Sequence, residues 1–519
     1  MRIRLWIVGS VFLAAALGCE GDPNDPQTWI KQLHDTRPTV DKKTTVQKQA
    51  IQQLVRLNKK EAVQPLIELY NDPKGSKDAD VLDAIIHFHD PASIPLLLAA
   101  MEYTENDFDA AAKASEELGK LKAQQAVPVL IKSLDKQLNI KSRANLVKWG
   151  AIRGLAEIGD KSAVEPLCKV VKALPSEQDM FLNKVAALAL GKLGDPKGIP
   201  CLLYGGFIAR GDGVTFFPEV RVSVARMGDA AIDPILEMLA GKDAEINALS
   251  KKLDFKPGVV GFKAAILLGD LRAKKGVPAL IAKLKEPNKG GDMEKEMQGE
   301  ILRALGKIGD PSGVDAILAT LKDGKQKSEV RQGACQGALA ARDTRALPVL
   351  VALTKDKKTE AGLRGKAGIV LGLLGGKSEA AAFAPIAKSP DCDGSPCQEF
   401  VDAETQLNLA AKCSDEACWS KALDDKNMIV QIKAAVMLAM ATNKQKAQDA
   451  LVKHLDNQDP QVREMLLDSL RRVATKGCGE CQTKLQELIG KEEKLTTKLP
   501  QLKRIVDEMN VTLAALQRG

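Results

Sequence analysis

The chain has 519 residues, of which 45% are hydrophobic and only 3% aromatic, with a formal net charge of +8. Three Tyr and four Trp leave little for base stacking, and the lysines are scattered among Asp and Glu rather than blocked, so the charge describes a solvated surface and not a nucleic-acid stripe. Few aromatics and many apolar residues suit helices packed through Ala and Leu, and internal repetition overrides the several globular domains that length alone would suggest.

Residues 1–18 read as a targeting segment. Arg2 and Arg4 open it, Leu5 to Leu17 form an apolar run too short to span a bilayer, and Ala15-Ala16-Leu17-Gly18-Cys19 closes it. This resembles a bacterial lipoprotein signal, with Ala16 standing where Leu is more usual; the alternative is an ordinary secretory leader. The resemblance implies that Cys19 is acylated and becomes the mature N-terminus, that residues 19–28 are a tether, and that acyl chains anchor the protein to an envelope membrane. Glu20 after the cysteine implies the outer membrane rather than the inner.

From residue 29 to about 390 one phrase keeps returning. Gly194-Asp195-Pro196-Lys197-Gly198-Ile199-Pro200 has relatives at Gly159-Asp160 with Pro166, Gly228-Asp229 with Pro234, Gly269-Asp270 with Pro278, Gly309-Asp310-Pro311 and Arg342-Asp343 with Pro348. The Asp recurs every 33 to 41 residues, the period of a solenoid. Gly closes one helix in the left-handed conformation, Asp caps the next, and Pro fits only a first helical turn. Flanking stripes such as Val127, Leu130, Ile131 and Leu134 follow helical spacing. The reading is an all-α solenoid of antiparallel helix pairs, each pair too small to hide its own apolar face. Longer connections at 205–218, 241–258 and 286–292 read as rim loops, either partner-specific or simply tolerated.

Ala126-Val127-Pro128-Val129-Leu130-Ile131, Val185 to Asp195, and Leu455-Asp456-Asn457-Gln458-Asp459-Pro460-Gln461-Val462-Arg463 resemble HEAT repeats of the phycobilisome-lyase type. The resemblance implies a right-handed superhelix that binds other proteins of the envelope. It also implies that the second helix of each pair lines the concave surface, so that Arg331, Arg364, Lys433 and Arg463 face a partner. A lyase-like or chaperone-like enzyme with a small-molecule pocket is the alternative, and a DNA-binding relative would require a cytoplasmic location.

Between 391 and 483 the cysteines come in close pairs: Cys392 with Cys397, Cys413 with Cys418, Cys478 with Cys481. These read as local disulfides that replace the capping phrase, which an oxidising compartment permits. A zinc site from the first four has the wrong spacers and a helix between its halves, and Cys478-Gly479-Glu480-Cys481 lacks the surroundings of a redox motif. Cys168, Cys201 and Cys335 read as separate small buried hydrophobes.

Catalytic chemistry is not apparent. Of the four histidines, His34, His87, His89 and His454, none precedes Glu, so the His-Glu iron pairs of the hydroxylase branch of HEAT-like enzymes have no counterpart. Gly375-Gly376-Lys377-Ser378 lacks the first glycine of a phosphate loop, and Asp391, Asp393 and Gly394 lack the terminal carboxylates of a calcium loop. The expectation is a non-enzyme with no cofactor and no metal. Residues 484–519 depart from the repeat and read as a helical cap for the last pair, or as a docking helix carried on Leu502, Ile505, Val506 and Met509.

Overall fold

The computed structural model describes residues 21–73, 77–102, 108–135, 145–287, 291–387, 397–475, 477–496, 498–499 and 502–518. Cys19 and Cys392 lie outside the described residues, as does the side chain of Cys397. The described residues form helices and no strand, with isolated bridges only at Pro38–Thr45 and Ala209–Thr215. They divide into two compact units, residues 1–166 and 167–519.

Each repeat is a long helix, a reversal and a short helix. In the clearest copy the helix Met180–Leu193 ends at Gly194, whose φ of +65° is left-handed, and Asp195 caps the next turn by accepting from the Lys197 amide at 3.0 Å. That turn is a single 3-10 turn, Pro196–Gly198, and it leads into the helix Ile199–Gly205 with Pro200 in its first turn. Asp160, Asp310 and Asp343 make the same cap to Ser162, Ser312 and Arg345. The capped 3-10 turn sets the angle at which the short helix folds back, and a missing N–H costs nothing there.

Two copies of the phrase depart from that reading. Gly269 and Asp270 are not a reversal but the last turn of the helix Val259–Leu271; the left-handed residue is Arg272, with φ of +51°. Asp229 lies inside a 3-10 turn, Gly228–Ala231, without a side-chain cap. Asp270 is 3% exposed and surrounded by cations, so charge neutralisation rather than capping explains it.

The longer connections are not simple rim loops. The first buries Phe207, Ile208 and Phe216, and the second carries a helix of its own, Ala244–Lys252. The Phe207 and Phe255 rings stack at 5.3 Å, so the two insertions pack on one another, with Phe207 buried and Phe255 half-buried.

Cysteine placement corrects the sequence in one respect. Cys168, on the helix Val164–Lys172, and Cys201, on the helix Ile199–Gly205, are bonded to each other rather than packed separately. The residues lie 33 apart in sequence and on successive short helices, with Cα atoms 5.5 Å apart. Cys413 is bonded to Cys418 and Cys478 to Cys481. Cys335 is a buried free thiol, its pKa pushed up to about 12 by burial.

The second unit closes on itself. Its last helix, Leu502–Arg518, buries Ile505, Val506, Met509, Val511 and Leu513. It packs on the helices Pro460–Val473 and Gly479–Glu492, as a cap would, and also on Phe217–Met227 far back in the chain. Val511 and Ala514 form one apolar cluster with Val222 and Ala225.

Candidate functional site

The long helices stack in a row whose spacing is set by glycine. A Cβ built on Gly337 would lie 2.6 Å from the Leu302 carbonyl oxygen, and one on Gly333 2.5 Å from the Gly299 Cα. Gly191 against Ser223, and Gly372 against Ala403, repeat this, as do Gly150 and Gly154 against Ala112 and Ser115 in the first unit. Backbone-to-backbone approach on this side brings the long helices nearer than any row of larger side chains could. In the second unit the chain returns to this row where Leu502–Arg518 lies against Phe217–Met227.

Three successive members of the row, Val259–Leu271, Asp292–Ile308 and Ser328–Ala341, line an open groove of about 500 Å³. Its floor is Gly299 and Gly333, and its walls include Lys295, Glu296, Arg303, Glu329, Gln332 and Gln336. Lys295 meets Asp292 at 3.2 Å and Glu329 at 3.4 Å, while Arg303 pairs with Glu300 at 3.1 Å and donates to Gln336. Burial raises the Glu300 carboxyl above its usual range against the pull of Arg303. Both signs of charge are present and mutually neutralised on a shallow surface. That arrangement suits a polar polypeptide more than a single small substrate.

Beyond the groove the row is occupied by its own chain. Arg221 bridges Asp270 at 2.7 Å and Glu508 of the last helix at 2.8 Å, a contact spanning 287 residues. Lys307 reaches Asp270 at 3.2 Å. Burial alone would raise the Asp270 carboxyl, but Arg221 and then Lys307 override it and hold it well below the usual carboxylate range. Arg342 pairs with Asp468 at 2.7 Å, and Arg471 and Arg472 donate to the carbonyls of Asp270 and Gly306, near the ends of two long helices. Guanidinium groups there meet the negative end of each helix dipole.

Of the four cations expected to face a partner, Lys433 and Arg463 are buried, which corrects the expectation for those two, while Arg331 and Arg364 are half-buried. Arg331 donates twice to the Leu321 carbonyl, at 3.2 and 3.0 Å. Arg364 lies over the Phe400 ring at 5.7 Å, its Nε buried. Lys433 is fully buried and donates to the Leu373 and Gly375 carbonyls at 2.9 and 2.7 Å, its ammonium pKa lowered to about 7 by burial. Arg463 is 4% exposed and paired with buried Glu492.

For Arg331 the reason is a contact that recurs in several repeats and that the sequence alone does not disclose. A polar side chain near the start of a long helix reaches back to the unpaired carbonyls that end an earlier helix. Asn183 serves Val170, Val171 and Ala173, Gln298 serves Leu284, Arg331 serves Leu321, and Gln431 serves Leu423. Short helices leave as many orphan carbonyls as long ones, and these donors satisfy some of them. The polar identity at this register (Asn, Gln, Arg) is the available signal. Among the described residues, no group of three or more His, Cys, Asp or Glu is placed to hold a metal ion, and no helix is long and apolar enough to cross a membrane.

Residues 277–372 match a family model described as HEAT repeats, and residues 147–172 match one described as PBS lyase HEAT-like repeat. No curated relative matches the chain. Among solved structures, human deoxyhypusine hydroxylase in complex with glycerol is similar at 16% identity over 68% of this chain and 96% of that one, with a TM-score of 0.22. Kap95p, from a structure with RanGDP, is similar at 10% identity over 91% and 75%, with a TM-score of 0.35. Kap121p is similar at 12% identity over 95% and 75%, with a TM-score of 0.27.

Proposed function

We propose that this chain is a HEAT-repeat protein, a reading supported by the matches over residues 147–172 and 277–372, and that it is a non-catalytic binding scaffold, anchored by lipid on Cys19 to the outer membrane of a bacterial envelope, that grips another envelope protein. The observation carrying the scaffold reading is the groove over Gly299 and Gly333. It draws its walls from three successive repeats and offers alternating charge and amide groups to an extended polar segment. Repeat arrays bind in this manner because each unit contributes a few contacts at a fixed spacing. The bonded cysteine pairs at 168–201, 413–418 and 478–481 support an oxidising compartment.

The scaffold reading is tested by a photo-crosslinking residue at Gln332 in cells, followed by identification of the adduct from solubilised envelopes. One discrete protein adduct, lost on charge reversal of Lys295 and Arg303 together, is expected. A small molecule that copurifies with the chain while no protein adduct forms would instead favour the enzyme-like reading. Anchoring is tested by metabolic labelling with palmitate: the label enters the wild-type chain and is absent from Cys19→Ser.

A further inference from the structure

A second cavity, of about 310 Å³, lies where the second unit closes. It is framed by the end of the helix Val259–Leu271, by Arg471 and the turn at Thr475 and Gly477, and by the last turn of the final helix at Leu516 and Arg518. Seven cations gather in and around it: Arg221, Arg272, Lys307, Arg342, Arg471, Arg472 and Arg518. The carboxylates there are already engaged. Asp270 holds Arg221 and Lys307 with Arg471 at 3.9 Å, Glu508 holds Arg221, and Asp468 holds Arg342.

Arg272 stands apart from this pairing. Among the described residues nothing accepts a hydrogen bond from its guanidinium, although it lines the cavity and is only partly exposed. Burial, and then repulsion from Arg471 and Arg472, lowers its pKa to about 9 against the attraction of Asp468, which is already paired with Arg342. Nearby, Arg342 Nε and Arg472 Nε are buried donors without a partner. A cation held among cations in a partly dry site is destabilising unless an anion joins it.

We propose that this cavity binds a phosphate dianion, either free or as the phosphoryl group of a small monoester, with Arg272 as its central ligand and Arg471 and Arg518 flanking it. Three guanidinium groups from three separate segments suit a tetrahedral dianion with several accepting oxygens better than a planar carboxylate, which one bidentate arginine satisfies. The bound anion thereby stitches Arg272, Arg471 and Arg518 together.

The test is calorimetric titration and thermal unfolding of the full chain with inorganic phosphate, with glycerol 3-phosphate, and with chloride at matched ionic strength. Phosphate is expected to raise Tm by several degrees over chloride. Glycerol 3-phosphate binding more tightly than inorganic phosphate assigns the site to a monoester, and the reverse order assigns it to the free ion. Arg272→Gln is expected to raise Tm in chloride, by removing the repulsion, and to abolish the phosphate increment; a merely structural arginine gives no such pair of opposite changes. Arg518→Gln, at the exposed mouth, is expected to weaken phosphate at least tenfold with Tm in chloride unchanged, and it stands as the test if Arg272→Gln fails to fold. Equal Tm in phosphate and chloride, or phosphate affinity retained within twofold in the folded variants, overturns the proposal.

Discussion

The two units use the same repeat and hold it together differently. In the first, ion pairs join neighbours: Lys48 with Asp80 and Lys113 with Asp83 lie 32 and 30 residues apart and remain well exposed. In the second, Arg342 reaches Asp468 across 126 residues and Arg221 reaches Glu508 across 287, with both arginines largely buried. A row held by nearest-neighbour contacts can lose one end and keep the rest. A row whose end returns to its middle behaves more like a globular domain, because the closing contacts form only when everything between them is in place.

Deleting residues 502–519 breaks this contrast most sharply. The helix buries Ile505, Val506, Met509, Val511 and Leu513, and at about 1.5–3 kcal/mol for each large side chain its loss costs the second unit roughly 8 kcal/mol or more. Hydrogen exchange read separately over the units should show amides of 217–342 losing protection while those of 46–134 keep theirs. Equal loss in both would mean that closure is not confined to the second unit.

Asp270→Asn sharpens the comparison at one residue. It strips the shared counter-ion from Arg221 and Lys307 in a buried site, and breaking such a network costs about 3–5 kcal/mol. Asp80→Asn removes an exposed partner of Lys48 in the first unit, where solvent screens the pair and little change is expected. Denaturant midpoints of the two variants give the ratio directly.

Lys433 adds a dependence on pH. Its folded pKa, about 7, lies below the ordinary 10.5 because burial disfavours the ammonium, so above pH 7 the unfolded chain binds the extra proton. Stability therefore rises with pH between about 7 and 10.5 and is unaffected by this group below 7, contributing about 2–3 kcal/mol between pH 7 and 9. The neutral amine still donates to Leu373 and Gly375, so the helix end stays capped. Lys433→Met should remove that increment from the difference in unfolding free energy between pH 7 and pH 9.

What the sequence discloses divides along similar lines. The repeat, its period and its capped turns are legible because each rests on residues close in the chain, as Gly194, Asp195 and Pro200 do. Asp270 misleads because the local phrase Gly-Asp is the same whether the Asp caps a turn or neutralises Arg221, and only the fold brings Arg221 near. Cys168 and Cys201 read as separate for the same reason: nothing local joins residues on successive short helices. The resemblance to HEAT repeats implies a binding face for Arg331 and Lys433, whereas the carbonyls that claim them belong to other helices and cannot be read locally. The groove over Gly299 and Gly333 is invisible because glycine in a helix reads as a flaw until a neighbouring backbone is seen against it.

That last point carries the smallest prediction, one of sign. In a helix interior Gly→Ala ordinarily stabilises by about 1 kcal/mol. At Gly490, on the helix Gly479–Glu492, an added Cβ meets nothing within 4 Å, and Gly490→Ala should raise stability by about that amount. At Gly337 the same methyl would lie 2.6 Å from the Leu302 carbonyl oxygen, which belongs to a helix backbone and cannot swing aside. The two long helices must part, and overpacking of that kind costs about 1–3 kcal/mol, enough to reverse the propensity gain. Opposite signs for Gly490→Ala and Gly337→Ala in urea unfolding are expected. A stabilising Gly337→Ala would show that the helix row is spaced by something other than its glycines.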